Sequence, residues 1–179
     1  MHVVGALNVE DARLGMVKAL GLLDTPAEER FDRFVRIAKK LCNVPMAAYT
    51  MPDVDRHWFK STQGLGGASQ TQREDSFCDY AACQRGVFYV PDMLEDARFA
   101  NNVLVAGPPH VRFYAGAPLF VEDVVVGTLC VLDVRPRYFD DETLLRLRDL
   151  ADCLQVELQT RLARLRQDPA RMSCAAMTG

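Results

Sequence analysis

Residues 112–133 have the sequence RFYAGAPLFVEDVVVGTLCVLD, and this stretch decides the fold class. Its two halves, residues 112–121 and 124–133, are rich in valine, leucine and aromatic side chains, a composition typical of β-strands. Only Glu122 and Asp123 separate them, so we expect an antiparallel hairpin. Because strand side chains alternate between two faces, Phe113 and Tyr114 point to opposite sides, and only one of them can face a pocket.

Upstream of this hairpin, the clearest signal is a helix start at residues 25–28, where Thr-Pro-Ala-Glu forms a capping box with proline at the first helical position. Apolar residues at spacings of three and four follow from Phe31 to Cys42 and predict an amphipathic helix. The other predicted elements are helices over 10–22, 76–84 and 140–166, strands over 44–51, 56–62 and 87–90, and loops over 64–72 and 91–109. This order predicts an α+β sandwich built around one antiparallel sheet.

The last helix carries a coiled-coil-like apolar seam and is longer than a domain of this size needs. It is apolar on more than one side, since Leu145, Leu150 and Val156 lie off that seam. We therefore expect a homodimer through this helix. The seam residues expected at its centre are Leu147, Leu154 and Leu158.

Composition excludes several function classes. The 179 residues carry a formal net charge of −3, which gives no basic footprint for nucleic acid or an anionic membrane. The longest apolar run, residues 124–132, is too short to span a bilayer, and no secretory signal opens the chain. The six cysteines show no C-x-x-C spacing. We expect a cytoplasmic protein with free thiols and no membrane or nucleic-acid partner.

Six strings follow one another along the chain: LGLLDTPAEERFD, RHWFKSTQGL, REDSFCDYA, VPDMLEDARFANN, GPPHVRFYAGAPL and GTLCVLD. Together they resemble the GAF domains found at the N-terminus of bacterial diguanylate cyclases and sensor histidine kinases. The resemblance implies a sheet of about six strands, with the terminal helices packed on one face and a pocket-covering loop on the other. The resemblance covers residues 20–166. Combined with the predicted elements, it divides the chain into an N-terminal helix (1–22), a GAF core (23–138), a signalling and dimerisation helix (139–167) and a tail expected to be disordered (168–179).

Two positions depart from the pattern of these relatives. They usually carry a histidine two residues after the cysteine of the SFC string, where this chain has Tyr80. Their hairpin turn usually contains glycine, whereas Glu122-Asp123-Val124 contains none. The first change bears on any chemistry at that helix, and the second is a change of turn type.

Candidate ligand contacts concentrate around the long loop. Arg98 and Arg112 could hold an anion bidentately, or they could pin the loop by pairing with its aspartates. Aromatic side chains could form pocket walls or plain core. His110 could contact a ligand, whereas His57 is interpreted as a surface strand residue. The full candidate set is Phe77, Cys78, Asp92, Asp96, Arg98, Phe99, His110, Arg112 and Tyr114.

Cofactor chemistry is not indicated by these residues. Cys78 and Cys130 could be redox-active, could bind a metal or could be buried structural thiols. No histidine spacing fits a metal site, so no metal is expected. Bilin-attaching relatives present a Cys-His dipeptide, and none occurs here, so no covalent bilin is expected. The identity of any other cofactor stays open.

The leading hypothesis is a regulatory sensor of bacterial signal transduction that binds a small ligand, dimerises through its terminal helices, or does both. We do not expect it to be an enzyme, because no cyclase, kinase or phosphodiesterase motif is visible. Its output domain would be separate or fused. Two alternatives remain: a structural dimerisation module with a filled pocket, and a free methionine sulfoxide reductase. Consumption of free methionine sulfoxide with a thiol donor would distinguish the last of these.

Overall fold

A computed structural model describes residues 3–168 of the chain, with side chains from residue 9 onward. The helices are α1 (Val3–Leu20), α2 (Glu29–Leu41), α3 (Cys78–Ala82), α4 (Val103–Ala106) and α5 (Asp141–Gln167). The strands are β1 (Met46–Pro52), β2 (Arg56–Gln63), β3 (Gln70–Gln72), β4 (Phe88–Val90), β5 (Phe113–Val121) and β6 (Val124–Asp133). The tail predicted at 168–179 lies outside the described residues from 169 onward.

The strands form one antiparallel sheet in the order β3-β2-β1-β6-β5-β4, which confirms the predicted α+β class. The predicted hairpin pairs Phe113 with Asp133 at one end and Val121 with Val124 at the other. Strand β3 is a correction, because residues 70–72 were expected to be loop. Its pairing with β2 extends the sheet by a short edge strand.

Alternation along each strand divides the sheet into two differently covered faces. On β1, Ala47, Tyr49 and Met51 belong to a core shared with α1, α2 and α5, which we call the helix face. Met46, Ala48 and Thr50 of the same strand point to the opposite side, which we call the cavity face, toward α3 and the 104–111 segment.

The capping box predicted at Thr25 and Glu28 is wrong. Helix α2 begins at Glu29, and Glu28 occupies the N-cap position without a side-chain capping bond. The ammonium group of buried Lys60 binds both side chains instead. Its Nζ donates a hydrogen bond to Thr25 Oγ1 over 2.7 Å and forms an ion pair with Glu28 Oε1 at 2.9 Å. A buried ammonium needs such partners, so the tertiary contact overrides the local cap.

The seam of α5 packs inside its own domain. Leu147, Leu154 and Leu158 are each 0% exposed in the helix-face core. This placement corrects their assignment to the centre of a homodimer, because side chains already buried against the sheet cannot contact a second chain. The side chains that α5 leaves exposed are others, among them Leu145 and Val156, which are 58% and 59% exposed.

Candidate functional site

The cavity face of the sheet encloses an apolar cavity of about 350 Å³. Its floor is formed by β1 and β6, and it opens between exposed rim residues of the 68–70 and 108–109 segments. None of the lining residues is an aspartate, glutamate, lysine, arginine or histidine. They are Met46, Ala48, Thr50, Phe59, Leu65, Ala68, Gln70, Thr71, Ser76, Phe77, Cys78, Leu104, Pro108, Pro109, Val111, Tyr114, Cys130 and Leu132.

A cluster of polar groups converges on one sulfur at the floor of this cavity. Thr50 Oγ1 donates to Cys78 Sγ over 3.2 Å, and Tyr114 Oη donates to the same sulfur over 3.3 Å. Cys130 lines the same part of the cavity wall. We call Thr50, Cys78, Tyr114 and Cys130 the sulfur cluster. Two hydroxyl donors on one sulfur favour its ionised form, because a thiolate accepts hydrogen bonds more strongly than a thiol does.

Local sequence explains how these four side chains meet. Ser76 Oγ accepts the backbone N–H of Cys78 over 3.2 Å and fixes the start of α3 above the sheet. Cys130 of β6 lies opposite Ala48 of β1, whose small side chain leaves the cavity open. The ring of Tyr114 lies across Gly116, where a Cβ atom would collide with its hydroxyl. Glycine at 116 therefore makes room for Tyr114 to reach the sulfur.

The surroundings of the two buried thiols, Cys78 and Cys130, shift their pKa values in opposite directions. Interaction with the Cys130 thiol lowers the pKa of Cys78; burial opposes this shift, while His57, Thr50 and Tyr114 favour it. The same interaction with Cys78, together with burial, raises the pKa of Cys130 well above its ordinary value. Cys42, buried among apolar groups on the helix face, has its pKa raised by burial to about 11. The donors around Cys78, rather than burial, therefore set it apart.

An ionic network links the cavity wall to the N-terminal helix through Asp79, the residue that follows Cys78. Asp79 lies 3.1 Å from Arg73 Nε and 3.4 Å from Arg13 of α1. Arg73 also pairs with Glu10 of α1 at 2.5 Å. Burial by itself would raise the pKa of Asp79, but His57 and Arg73 outweigh it and lower the pKa to about 2.

His57 is buried in this network, at 2% exposure, which corrects its interpretation as a surface strand residue. Its Nε2 lies 3.3 Å from Asp79 Oδ1, close enough for an ion pair when the ring is protonated. The N–H group does not point at the carboxylate oxygen, so this contact is not a hydrogen bond. Neither ring nitrogen of His57 has a hydrogen-bond partner among the described residues. The alternating pattern of β2 could not reveal that α3 covers this position.

Of the nine candidate ligand contacts, Phe77, Cys78 and Tyr114 line the cavity, and their contact with a ligand stays a prediction. Tyr114 faces the cavity while Phe113 is buried on the helix face, as strand alternation predicted. The other six lie elsewhere. Phe99 is packed against Phe77 and Phe88 in the core beside the cavity, and His110 is exposed with a φ of 61°.

The charged candidates pin the loop. Arg112 donates to the carbonyls of Val105 and Val111 over 2.8 and 3.0 Å, so it holds α4 in place. Arg98 pairs with Asp96 at 2.5 Å. Asp92 accepts the backbone N–H of Leu94. Arg98 therefore pairs with an aspartate of the loop as the second alternative expected, whereas Arg112 ties the loop through backbone carbonyls, and neither arginine lines the cavity.

Several lining residues were missed by the sequence interpretation. Ala48 and Thr50 are two residues apart on a strand whose every position is buried, so the pattern alone could not separate its faces. Cys130 was considered as a redox, metal-binding or structural thiol, but not as part of the cavity wall. The rim at Pro108 and Pro109 falls in a loop without periodicity, and nothing in its composition predicts which side faces the sheet.

Comparison with known proteins identifies the family to which this fold belongs. The GAF domain profile matches residues 26–158, which is more than half of the chain. The chain belongs to the GAF domain family. Over 129 residues this GAF domain is 43% identical to a cyclic di-GMP phosphodiesterase from Pseudomonas aeruginosa. That match covers 72% of this chain and 22% of the relative, so the chain spans only about a fifth of that relative's length.

Two solved structures share the fold at low identity. One is the GAF domain of an Acinetobacter phosphoenolpyruvate-protein phosphotransferase, with a TM-score of 0.61, 15% identity, and coverage of 94% of this chain and 98% of that one. The other is a free methionine-R-sulfoxide reductase from Neisseria meningitidis in complex with its substrate, with a TM-score of 0.61, 18% identity, and coverage of 87% and 89%. Identities this low show the fold alone.

The structure also explains the two departures from the GAF pattern. Tyr80 is exposed, and its ring packs against Phe88 and Phe99, so it is not part of the sulfur cluster. Glu122 and Asp123 adopt φ values of 50° and 64°, the positive values that a type I′ hairpin turn requires. No helix within residues 3–168 has both the length and the apolar composition needed to cross a membrane.

Proposed function

We propose that this GAF domain is a regulatory sensor, and that its cavity binds a neutral, largely apolar small molecule. The observation that carries the proposal is the composition of the cavity wall: eighteen side chains with no cationic group and no carboxylate, and with a few hydroxyl, amide and thiol groups. Such a wall suits an apolar body with one polar end, which Thr50 or Tyr114 could hydrogen-bond. An anionic ligand would lose its hydration there without gaining a cationic partner.

The relative from Pseudomonas aeruginosa supports a regulatory role. Its name assigns it phosphodiesterase activity on cyclic di-GMP, and this chain corresponds to 22% of its length. We propose that the present domain regulates an enzyme of cyclic di-GMP turnover and performs no catalytic step itself. The catalytic output would reside in a separate or fused domain.

The Asp79 network offers a route by which the cavity could influence the rest of the protein. Cys78 contacts the cavity, and the neighbouring Asp79 pairs with Arg13 and, through Arg73, with Glu10 of α1. A ligand that shifts α3 would strain these ion pairs. We propose that α1 transmits occupancy of the cavity.

Hydrogen–deuterium exchange with N-phenylnaphthylamine, a neutral apolar dye, tests this proposal. Binding should slow amide exchange in α3 and also in α1 around Glu10 and Arg13. Replacing Ala48 by phenylalanine fills part of the cavity and is the control, in which the dye should change nothing. Protection confined to the cavity-lining strands would contradict the route through α1, and no protection anywhere would contradict the ligand site.

Self-association remains a second proposal, now on a different surface. Leu145 and Val156 are three helical turns apart on one side of α5, and both are largely exposed. We propose that this side of α5, rather than its buried seam, forms the homodimer contact. It would serve the sensor by placing two output domains together.

A further inference from the structure

The sulfur cluster has a feature that ligand binding does not explain. Two free thiols, Cys78 and Cys130, line the same cavity and belong to the same buried cluster. They come from elements far apart in sequence, the first turn of α3 and the middle of β6. A buried structural thiol needs only apolar neighbours, as Cys42 has on the helix face.

We propose that Cys78 and Cys130 are an oxidant-responsive pair, in which a small hydroperoxide entering the cavity oxidises Cys78 and Cys130 then closes a disulfide. This inference goes beyond the proposed function, because it needs the cavity for access but no regulatory ligand.

The geometry assigns different roles to the two sulfurs. Cys78 accepts from the hydroxyls of Thr50 and Tyr114, which stabilise negative charge on its sulfur, so Cys78 is the nucleophile. Among the described residues, no hydroxyl donates to the second thiol in the same wall, Cys130, so Cys130 keeps its proton until Cys78 has reacted and is the resolving thiol. The lowered pKa of Cys78 and the raised pKa of Cys130 agree with these roles. A reactive thiol needs ionisation and access, and the cavity supplies the access.

The chemistry balances in two steps. The Cys78 thiolate attacks one peroxide oxygen, the O–O bond breaks, and the product is a sulfenic acid plus an alkoxide or hydroxide that takes a proton from water. The sulfur of Cys130 then attacks the sulfenic sulfur, the S–S bond forms, and hydroxide leaves with the proton of Cys130 as water. Two thiols lose two electrons, and the hydroperoxide is reduced to an alcohol or water, with a second water from the sulfenic oxygen.

The resulting disulfide would join α3 to β6 across the floor of the cavity. It would remove the acceptor of the Thr50 and Tyr114 hydroxyls and constrain the helix that carries Asp79. Oxidation would therefore act on the same wall that a ligand contacts. A small thiol entering the cavity could reverse it by thiol–disulfide exchange.

The test uses the full chain with Cys83, Cys153 and Cys174 replaced by serine, which leaves Cys42, Cys78 and Cys130. The folded protein is treated with a few-fold excess of hydrogen peroxide, alkylated after denaturation and mapped by peptide mass spectrometry. We expect a Cys78–Cys130 disulfide with Cys42 fully alkylated. Two free thiols at 78 and 130, under conditions that oxidise free cysteine in the same tube, would overturn the proposal.

Single replacements then separate the roles of the two sulfurs. In the Cys130→Ser protein, dimedone should trap a sulfenic acid at Cys78. In the Cys78→Ser protein, Cys130 should stay reduced, and equal trapping at Cys130 would overturn the assignment. Because the first measurement uses the parent sequence at both positions, misfolding of a variant does not weaken it. The assay reports the sulfurs directly, so its failure and failure of the ligand proposal can be told apart.

Discussion

The hydroxyl of Tyr114 donates a hydrogen bond to the sulfur of Cys78 over 3.3 Å, although the two residues are 36 positions apart. Strand β5 supplies the hydroxyl and helix α3 supplies the sulfur, so this contact fixes α3 on the cavity face. The ring reaches the sulfur because residue 116 is glycine. The contact thus joins the wall of the cavity, the reactive sulfur and the sheet in one arrangement.

Replacing Tyr114 by phenylalanine should raise the pKa for the first deprotonation of the Cys78–Cys130 pair. A hydrogen bond to a charged group contributes about 1.5–3 kcal/mol, so the loss corresponds to roughly one pKa unit or more. The thiolate absorbance of the protein, followed against pH, measures it. Tyr89→Phe is the matched control, because its hydroxyl bonds to Arg137 and Phe139 instead. Identical titrations for all three proteins would contradict the role of Tyr114.

Two adjacent alanines on β1 test whether the cavity is open space. Ala48 points into the cavity and Ala47 into the closely packed helix-face core. Ala47→Phe should lower the free energy of unfolding by about 1–3 kcal/mol or more, because overpacking strains a filled core. Ala48→Phe should cost less, because its ring has room. Denaturant unfolding measures both, and equal losses would show that the cavity is not available.

The ionised form of Asp79 should stabilise the fold in a defined pH range. Its pKa falls from 3.8 to about 2 in the folded protein, so the stabilisation is present above about pH 4 and is lost as the pH falls toward 2. Asp79→Asn should therefore lower stability at pH 7, by about 1 kcal/mol after solvent screening of this partly exposed group. The difference in free energy of unfolding between Asp79→Asn and the parent should become smaller as the pH falls.

Unfolding curves measured between pH 7 and pH 3 check this dependence on Asp79. The exposed carboxylate of Asp149 provides the control, since Asp149→Asn should leave stability nearly unchanged across the range. A gap for Asp79→Asn that stayed constant or widened with acidification would contradict the ion-pair account.

The exposed side of α5 can be tested for self-association by charge. Leu145→Glu combined with Val156→Glu should turn a dimer into a monomer in sedimentation without loss of the fold. Leu154→Glu is the contrasting variant, because it places a charge in the core and should unfold the domain. A parent chain that sediments as a monomer at high concentration would end the dimer proposal.

Sequence patterns predicted the sheet, the hairpin and the opposite faces of Phe113 and Tyr114, because strand alternation depends only on neighbouring residues. They failed where distant groups compete. Thr25 and Glu28, predicted to form a capping box, bind Lys60 instead. His57, predicted to lie on the surface, is covered by α3. The seam of α5 was assigned to a partner because periodicity shows that a face is apolar but not what covers it. The sulfur cluster needs α3, β1, β5 and β6 in place, so no local pattern could predict it.

A pair of dyes tests the central claim, that the cavity binds a neutral apolar molecule, most directly. N-phenylnaphthylamine and its sulfonated anion, anilinonaphthalene sulfonate, differ mainly by one charge. Fluorescence titration of the parent chain should show one saturable site for the neutral dye and at least tenfold weaker binding of the anion, because no cation lines the wall. Ala48→Phe should abolish the site. Equal binding of both dyes, or unchanged binding to a folded Ala48→Phe protein, would contradict the account.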